Sequence, residues 1–309
     1  MRDAVMEIVC ASDGNYLPHV ATMICSALAN NNIKAVHFLY GSVSDAERAV
    51  LSRMVERYGS EFHCYDMDRA NISDLPVNKW ATPAVYYRVL ASEVLPKSVK
   101  KVLYLDADIV VRRSLATLWQ VDVSAVALAA VADHDDAGWQ GLGFAREAGY
   151  FNSGVMLLNL DYWRQHALAE KVLKFARDNP EKVRFWDQDA LNATLVGRWM
   201  ELPPCWNAQA DGRTWEAWLA AAKPGTGENP AVVHFTCIDG LKPWHWALRH
   251  PFKRDYRAYR RKTPWRRYVE IGRPPLAQRM TLSARDLVRS ALPASARRWL
   301  RFRLQRSTA

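Results

Sequence analysis

The sequence predicts an α/β protein whose central sheet is mainly parallel and flanked by helices. Two observations support this: strand-like and helix-like segments alternate along the first hundred residues, and polar clusters follow predicted strands. A β-α-β-α-β order favours parallel strands joined by right-handed crossovers. The chain has 309 residues, half of them hydrophobic, which is enough for one large α/β domain or two ordinary ones.

The predicted strands are short apolar runs bounded by turn residues. The first, VMEIVCA, precedes the turn-rich Ser12-Asp13-Gly14-Asn15, and the fourth runs into a pair of aspartates. Ligands of parallel sheets bind beyond the carboxyl ends of the strands, so these polar clusters mark a candidate site. In chain order we expect strands at 5–11, 35–40, 61–66, 101–106, 124–132, 153–160 and 231–236.

The predicted helices have apolar residues at helical spacing and recognisable ends. The first stops at three asparagines, the second begins with a capping box formed by Ser44 and Glu47, and the fourth stops at Asp178-Asn179-Pro180. We expect these helices at 17–29, 44–58, 84–95, 161–177 and 187–195.

The segment LYLDADIVV places two carboxylates, Asp106 and Asp108, inside an apolar run. Side chains two residues apart in a strand project to the same side, so both should face one way from the strand end. Two oxygen donors this close suit Mg²⁺ or Mn²⁺, and a bound cation would offset the cost of paired charges. The alternative is a loop start with two solvated carboxylates.

Three further positions have both a functional and an ordinary interpretation. His234 lies in an apolar strand and is either a core histidine or a third metal ligand. Asp187 and Asp189 flank Gln188 and either complement a helix dipole or face a sugar. Lys242 either pairs with an anionic leaving group or is a surface lysine beside a proline.

Four segments together resemble the family 8 glycosyltransferases, which are retaining enzymes that use nucleotide-sugar donors. The likeness is strongest to the bacterial lipopolysaccharide galactosyl- and glucosyltransferase branch, and the segments occur in the family's order. They are VCASDGNYLPH, KVLYLDADIVVRRSLATLW, YFNSGVMLLNL followed by WDQDALN, and HFTCIDGLKPWH.

The resemblance implies a GT-A fold over residues 1–246 and a role for each matching position. Asp187 and Gln188 would lie beside the reacting carbon as catalytic residues. The metal, Mn²⁺ with Mg²⁺ as the alternative, would be held by Asp106, Asp108 and His234. Donor binding would fall to Ala11, Ser12, Asp13, Asn15, Tyr16, Arg88, Asp106, Ala107, Asn152, Ser153, Gly240 and Lys242.

One departure from the family pattern concerns the late segment. Seven residues separate His234 from Lys242, a longer spacer than relatives have, and this bears on Gly240 and Lys242 but not on His234. The implied reaction moves galactose or glucose from a UDP-sugar to a glycan or lipopolysaccharide acceptor. Retention needs a double displacement or attack on the leaving-group face, of which we favour the second.

The charge of the chain is concentrated at its end. Residues 246–309 contain 18 Lys and Arg against 3 Asp and Glu, whereas residues 1–245 carry a net charge of −5. Two basic amphipathic helices are predicted, near 283–292 and 295–304. Such helices lie on anionic membranes, so residues 247–309 are expected to be a membrane-attachment tail. A solvated tail is the alternative, and we expect no nucleic-acid partner because no binding motif is present.

The remaining composition bounds the protein class. The five cysteines are odd in number and contain no CxxC, which argues against a disulfide framework or a structural zinc site. The first residues lack the apolar segment of a signal peptide, and no apolar run of membrane-spanning length occurs. We therefore expect a cytoplasmic protein, peripheral on the inner face of the cytoplasmic membrane.

Two other functions are compatible with parts of the sequence. A phosphatase of the haloacid dehalogenase type also places DxD after an apolar strand, but about a hundred residues precede the motif here and the later motifs would have no role. A non-catalytic membrane-associated adaptor on the same fold should have lost metal or donor positions, and all of them are present.

Overall fold

The computed structural model describes residues 5–78, 81–133, 141–209, 230–236 and 240–275. These residues form two compact units. One comprises 5–244 and 248–268, and the other comprises 245–247 and 269–275. The second unit contains a bridge between His245 and Ile271, with the Trp246 N–H donating to the Ile271 carbonyl.

The elements of the first unit follow the predicted alternation. The strands are β1 Met6–Asp13, β2 Ile33–Gly41, β3 Glu61–Asp66, β4 Lys101–Leu105, β5 Ile109–Val111, β6 Leu128–Ala132, β7 Phe151–Asn159, β8 Trp199–Glu201 and β9 Val232–His234. The α-helices are α1 Leu17–Asn30, α2 Asp45–Glu56, α3 Ala91–Val94, α4 Ala116–Trp119, α5 Leu160–Gln165, α6 Leu168–Asp178, α7 Trp186–Thr194 and α8 Lys253–Arg260. Helices of 3₁₀ type span Gly14–Tyr16, Pro83–Leu90, Arg146–Ala148 and Pro204–Trp206.

The central sheet has seven strands in the order β3-β2-β1-β4-β7-β6-β8. Only β7 runs antiparallel to its neighbours β4 and β6, and the other pairings are parallel. The predicted mainly parallel sheet is therefore confirmed. A second, antiparallel pair consists of β5 and β9.

The hydrophobic core lies on both faces of the central sheet because successive residues of its inner strands are both apolar. In β1, Ile8 packs on the α1 side with Val20 and Ile24, while Val9 packs on the opposite side with Trp163. Because β1 to β4 are parallel, their carboxyl ends meet at one edge of the sheet. The candidate site lies at this edge.

The segment LYLDADIVV differs in part from the predicted strand at 101–106 with Asp108 at or past its end. β4 ends at Leu105, and β5 begins at Ile109 in the other sheet, so Asp106-Ala107-Asp108 forms the turn between two sheets. The two aspartates lie outside both strands, so strand alternation does not set the direction of their side chains. The predicted reason for their common direction was therefore wrong. The hydrogen-bonding partner of the chain changes across this turn. The Asp106 N–H donates to the Gly154 carbonyl of β7, whereas the Asp108 carbonyl accepts from the Phe235 N–H.

Several other predicted elements change. The helix expected at 161–177 is two helices, because Ala167 adopts a left-handed φ of 49°. Trp163 and Leu168 are both fully buried, and a continuous helix would point them about 140° apart, so the break lets both reach the core. The helix expected at 84–95 is mostly a 3₁₀ helix, the strand expected at 124–132 begins at Leu128, and the late strand has three residues outside the central sheet.

Other local predictions are confirmed. The Ser44 side chain accepts from the Glu47 N–H while the Glu47 carboxylate accepts from the Ser44 N–H, which is the predicted capping box. No helix in the described part of the chain combines the length and apolar character needed to cross a bilayer. The amphipathic helices predicted near 283–292 and 295–304 lie outside the described residues.

Candidate active site

The turn between β4 and β5 faces a histidine on the neighbouring strand β9. Ile109 is paired with His234 in register, which sets the imidazole beside both aspartates. His234 Nε2 lies 3.1 Å from Asp108 Oδ1 and 3.9 Å from Asp106 Oδ2. One ligand atom from each residue lies within 4.8 Å of the others, so the three could hold a metal ion.

The surroundings of this cluster fit a divalent cation. Gly154 lies against it: a Cβ at this position would be 2.2 Å from His234 Cε1 and 2.9 Å from Asp106 Oδ2, so only glycine leaves room for both ligands. Burial opposes ionisation of Asp108, but Lys242 and His234 outweigh it and hold the pKa of Asp108 far below its usual range. Two carboxylates and an imidazole are ligands that Mn²⁺ accepts.

Lys242 reaches the cluster in spite of its longer spacer. Its ammonium donates to Asp108 Oδ2 at 2.6 Å and to the Phe235 carbonyl at 3.1 Å. Gly240 is exposed and has a left-handed φ of 70°. Ala107 is half-buried and packs against the hydrophobic core.

Arg88 connects Asp106 to the start of α7. Its Nη2 lies 2.9 Å from Asp106 Oδ1, its Nη1 donates to the Ser153 carbonyl at 2.9 Å, and its Nε lies 3.1 Å from Asp187 Oδ2. The guanidinium also lies over the Tyr104 ring. Burial disfavours its charge, but Asp106 and Asp187 outweigh burial and raise the pKa of Arg88.

Asp187 is buried and only partly compensated. The Arg88 Nε hydrogen is donated to the Val85 carbonyl, and Asp187 Oδ2 has no hydrogen-bond partner among the residues that the structure describes. Burial raises the pKa of Asp187 to about 7 against the lowering effect of Arg88. Its neighbour Asp189 accepts from the Arg184 and Phe185 N–H groups, so Asp189 stabilises the helix start.

The amide of Gln188 is fixed in orientation. Its Oε1 accepts from the Ser153 N–H at 3.0 Å, and its Nε2 donates to Asp133 Oδ2 at 3.0 Å and to the Tyr150 hydroxyl at 3.1 Å. Asn152 also donates to Asp133 Oδ2, at 3.0 Å. No sequence motif indicated Asp133, which lies outside every quoted segment.

The residues expected to bind the donor at the end of β1 form a second part of the same edge. Ala11 is half-buried, and Ser12 is buried with its hydroxyl donating to the Asp13 carbonyl. The Asp13 carboxylate accepts from the Asn15 N–H and from the Thr82 hydroxyl. Asn15 is exposed.

Aromatic residues border this part of the site. Tyr16, 40% exposed, packs edge-on against Trp244 with ring centroids 5.3 Å apart, and Trp244 stacks on His19 at 3.7 Å. Sequence reasoning assigned no role to His19 or Trp244. Both belong to the quoted segments, so their place beside the site could have been suspected from the motifs.

A mainly parallel sheet with an Asp-x-Asp turn and a histidine beside it at the carboxyl edge is the arrangement of a GT-A glycosyltransferase. The chain belongs to the family described as Glycosyl transferase family 8, whose sequence model matches residues 7–247. This excludes the phosphatase alternative, and the protein is a glycosyltransferase.

The relatives agree with this assignment. General stress protein A of Bacillus subtilis (strain 168) is 31% identical over 292 residues, covering 90% of this chain and 99% of its own. Lipopolysaccharide 1,2-glucosyltransferase of Escherichia coli (strain K12) is 26% identical, covering 82% of this chain and 77% of its own. The crystal structure of galactosyltransferase LgtC with donor and acceptor sugar analogues matches with a TM-score of 0.73 and 25% identity, covering 89% of this chain and 99% of that one.

Proposed function

We propose that the protein is a retaining hexosyltransferase that moves galactose or glucose from a UDP-sugar to a glycan or lipopolysaccharide acceptor. The observation that carries this is the convergence of Asp106, Asp108 and His234 next to Lys242 at the sheet edge. The relatives named lipopolysaccharide 1,2-glucosyltransferase and 1,3-galactosyltransferase support the hexose and the acceptor class.

Asp106, Asp108 and His234 would hold Mn²⁺, with Mg²⁺ as the alternative. When bound, the cation supplies Lewis-acid stabilisation of the negative charge that develops on the departing diphosphate. Lys242 adds a second positive charge at the same place, because its ammonium already lies against Asp108. A cation held by the carboxylate pair would thus form, together with the lysine, one positively charged binding surface for a diphosphate.

The end of β1 would hold the nucleoside. Ala11, Ser12, Asp13 and Asn15 present backbone and side-chain polar groups, and Tyr16 offers an exposed aromatic ring suited to a base. Ala107, Asn152, Ser153 and Gly240 complete the proposed donor contacts.

The sugar would lie between the Asp-x-Asp turn and the start of α7. The anomeric carbon gains positive charge as its bond to phosphate breaks, and an oxygen of Asp187 or Gln188 nearby stabilises that charge. Asp187 Oδ2 is buried and has no hydrogen-bond donor among the described residues, so its lone pairs are unsatisfied next to the proposed sugar position. Arg88 holds Asp106 and Asp187 in place during this step.

We favour attack on the face from which the diphosphate leaves. The acceptor hydroxyl forms its bond to the anomeric carbon as the sugar–phosphate bond breaks, and the departing phosphate oxygen takes the hydroxyl proton. A double displacement through a protein nucleophile is the second candidate, supported by the buried carboxylate of Asp187.

The enzyme test is donor hydrolysis over a panel of UDP-sugars. We expect UDP release from UDP-galactose or UDP-glucose that requires Mn²⁺ and stops with EDTA. Asp108→Asn should abolish the metal-dependent rate, with Asp122→Asn, an exposed aspartate that accepts from the Ser124 N–H, as the matched control. A near-normal rate of Asp108→Asn in Mn²⁺ would remove Asp108 from the metal site.

The last part of the proposal concerns location. We place a catalytic domain at 1–246 and a basic attachment tail at 247–309, with the enzyme cytoplasmic and peripheral on the inner membrane face. Support comes from the concentration of 18 Lys and Arg in residues 246–309. Deleting the residues after Thr281 should move the protein from the membrane pellet to the supernatant and leave transfer to a soluble acceptor intact. Unchanged sedimentation with anionic liposomes contradicts the role of the tail.

A further inference from the structure

His234 presents only one of its two ring nitrogens to the aspartates. Nε2 faces Asp108, whereas Nδ1 lies 3.0 Å from Asn207 Oδ1 on the other side of the ring. Asn207 is completely buried and directly follows the 3₁₀ helix Pro204–Trp206. It belongs to none of the motifs in the sequence.

The backbone fixes Asn207 beside this histidine. The next residue, Ala208, donates its N–H to the Val232 carbonyl and accepts from the His234 N–H, at 3.0 Å each. Both the N–H and the carbonyl of Ala208 are thereby hydrogen-bonded to β9, which makes a parallel bridge with Val233. The distance between the Asn207 amide and the imidazole is therefore set by strand-like pairing and does not depend on a free rotation of the loop.

The orientation of the Asn207 amide follows from one backbone hydrogen. The Gly154 N–H can only donate, and it points at Asn152 at 3.0 Å, so the atom facing it is the oxygen Oδ1. The same oxygen lies 2.9 Å from the Asn207 amide, which must therefore donate through Nδ2. This leaves the Asn207 oxygen facing the histidine.

The other end of the chain of amides agrees with this direction. Asn152 Nδ2 donates to Asp133 Oδ2, a carboxylate oxygen that also accepts from Gln188 Nε2, at 3.0 Å each. Two amide donors on one carboxylate oxygen are compatible, whereas a reversed Asn152 would set its oxygen against the carboxylate. The direction of donation is thus the same from His234 to Asp133.

An oxygen facing Nδ1 requires that Nδ1 carry the hydrogen. We propose that Asn207 is a positioning residue, which holds the Nδ1–H of His234 and so presents the Nε2 lone pair to the divalent cation beside Asp106 and Asp108. This rests on the metal site of the proposed function. Groups that accept the second hydrogen of a ligating histidine orient the ring and raise its basicity as a ligand.

The test is Mn²⁺ affinity without any donor sugar, measured from the EPR signal of free Mn²⁺ with the full-length protein. Asn207→Leu, which removes the acceptor, should weaken Mn²⁺ binding about 10- to 100-fold. Asn207→Asp keeps an acceptor for Nδ1–H and loses the donor to Asn152, so it should bind Mn²⁺ at least as tightly as the wild type. Asn159→Ala, which removes a similar amide that caps α5 and donates to the Val123 carbonyl, should leave the affinity unchanged.

The two variants separate the acceptor role of Asn207 towards His234 from its donor role towards Asn152. If Asn207 matters only through its bond to Asn152, the aspartate variant should bind Mn²⁺ as weakly as the leucine variant, and that result overturns the proposal. The aspartate variant, close to isosteric, also decides the matter if the leucine variant does not fold. Wild-type affinity in Asn207→Leu overturns the inference alone. A wild type whose Mn²⁺ binding is absent, or is unaffected by Asp108→Asn, overturns the proposed metal site and the inference with it.

Discussion

Replacing Arg88 with alanine tests how a buried and a partly buried carboxylate are held at the centre of the site. The Arg88 side chain is 8% exposed and lies 2.9 Å from Asp106 and 3.1 Å from Asp187, whose side chains are 20% and 4% exposed. Its removal leaves both carboxylates without their cation. In addition, the Ser153 and Val85 carbonyls lose a hydrogen-bond donor.

The magnitude follows from the burial of these groups. Removing one partner of a buried ion pair costs about 3–5 kcal/mol, because the other charge stays buried and unpaired. A surface pair of the same residue types, Arg177 and Asp74 at 2.8 Å, should contribute about 0–1 kcal/mol. For a domain of this size, about 2–4 °C of melting temperature corresponds to 1 kcal/mol, so Arg88→Ala should melt of the order of 10 °C lower than the wild type.

Thermal unfolding monitored by circular dichroism measures this difference, with Arg177→Ala as the control. The double variant Arg88→Ala with Asp187→Asn should recover part of the loss, since a neutral amide at position 187 needs neither the lost cation nor the proton that the buried carboxylate would otherwise take up. The reasoning is refuted if Arg88→Ala has the melting temperature of the wild type. It is also refuted if the change in melting temperature caused by Asp187→Asn is the same with and without Arg88. Arg88→Lys keeps the charge but has fewer hydrogen-bond donors, so its melting temperature should lie between those of the wild type and Arg88→Ala.

Three further predictions concern neighbouring groups. Gly154→Ala should abolish Mn²⁺ binding and lower the free energy of unfolding by about 1–3 kcal/mol, because the new Cβ would overlap His234. A folded variant that binds Mn²⁺ with the affinity of the wild type contradicts this. The raised pKa of Asp187, about 7 against 3.8, means that the folded protein keeps a proton that the unfolded chain releases, so wild-type stability falls as pH rises through this window. Asp187→Asn should therefore gain melting temperature over the wild type from pH 5 to pH 8, and a constant difference refutes the assignment. Lys242→Ala should lower the rate of UDP release about 10²-fold in saturating donor, and a change confined to KM would show that Lys242 contributes only to ground-state binding.

The sequence alone predicted most of the fold. Apolar runs and helical periodicity located β1 to β4 and α1, α2 and α7, because the buried apolar residues of these elements recur at a spacing that is visible in the local sequence. Where boundaries moved, a distant contact decided: the break at Ala167 exists because Trp163 and Leu168 must both reach the core. Local periodicity contains no information about such a choice.

The candidate site divides in the same way. Its chemistry could be inferred from the residue types, since an Asp-x-Asp after an apolar strand and a histidine in a late strand are unusual enough to suggest metal ligands. Their meeting could not be inferred, because Asp108 and His234 are brought together by the pairing of β5 with β9, two strands far apart in the chain.

What only the tertiary structure decided is the geometry around those ligands. The aspartates lie in a turn between two sheets, Gly154 makes room for the imidazole, and Arg88 joins Asp106 to Asp187. Asn207 shows this most clearly. The Gly154 N–H fixes the orientation of the Asn152 amide, and Asn152 in turn fixes the orientation of the Asn207 amide. Residue type and local pattern are properties of the sequence, whereas the direction of a buried hydrogen bond depends on which groups from distant segments the fold places opposite each other.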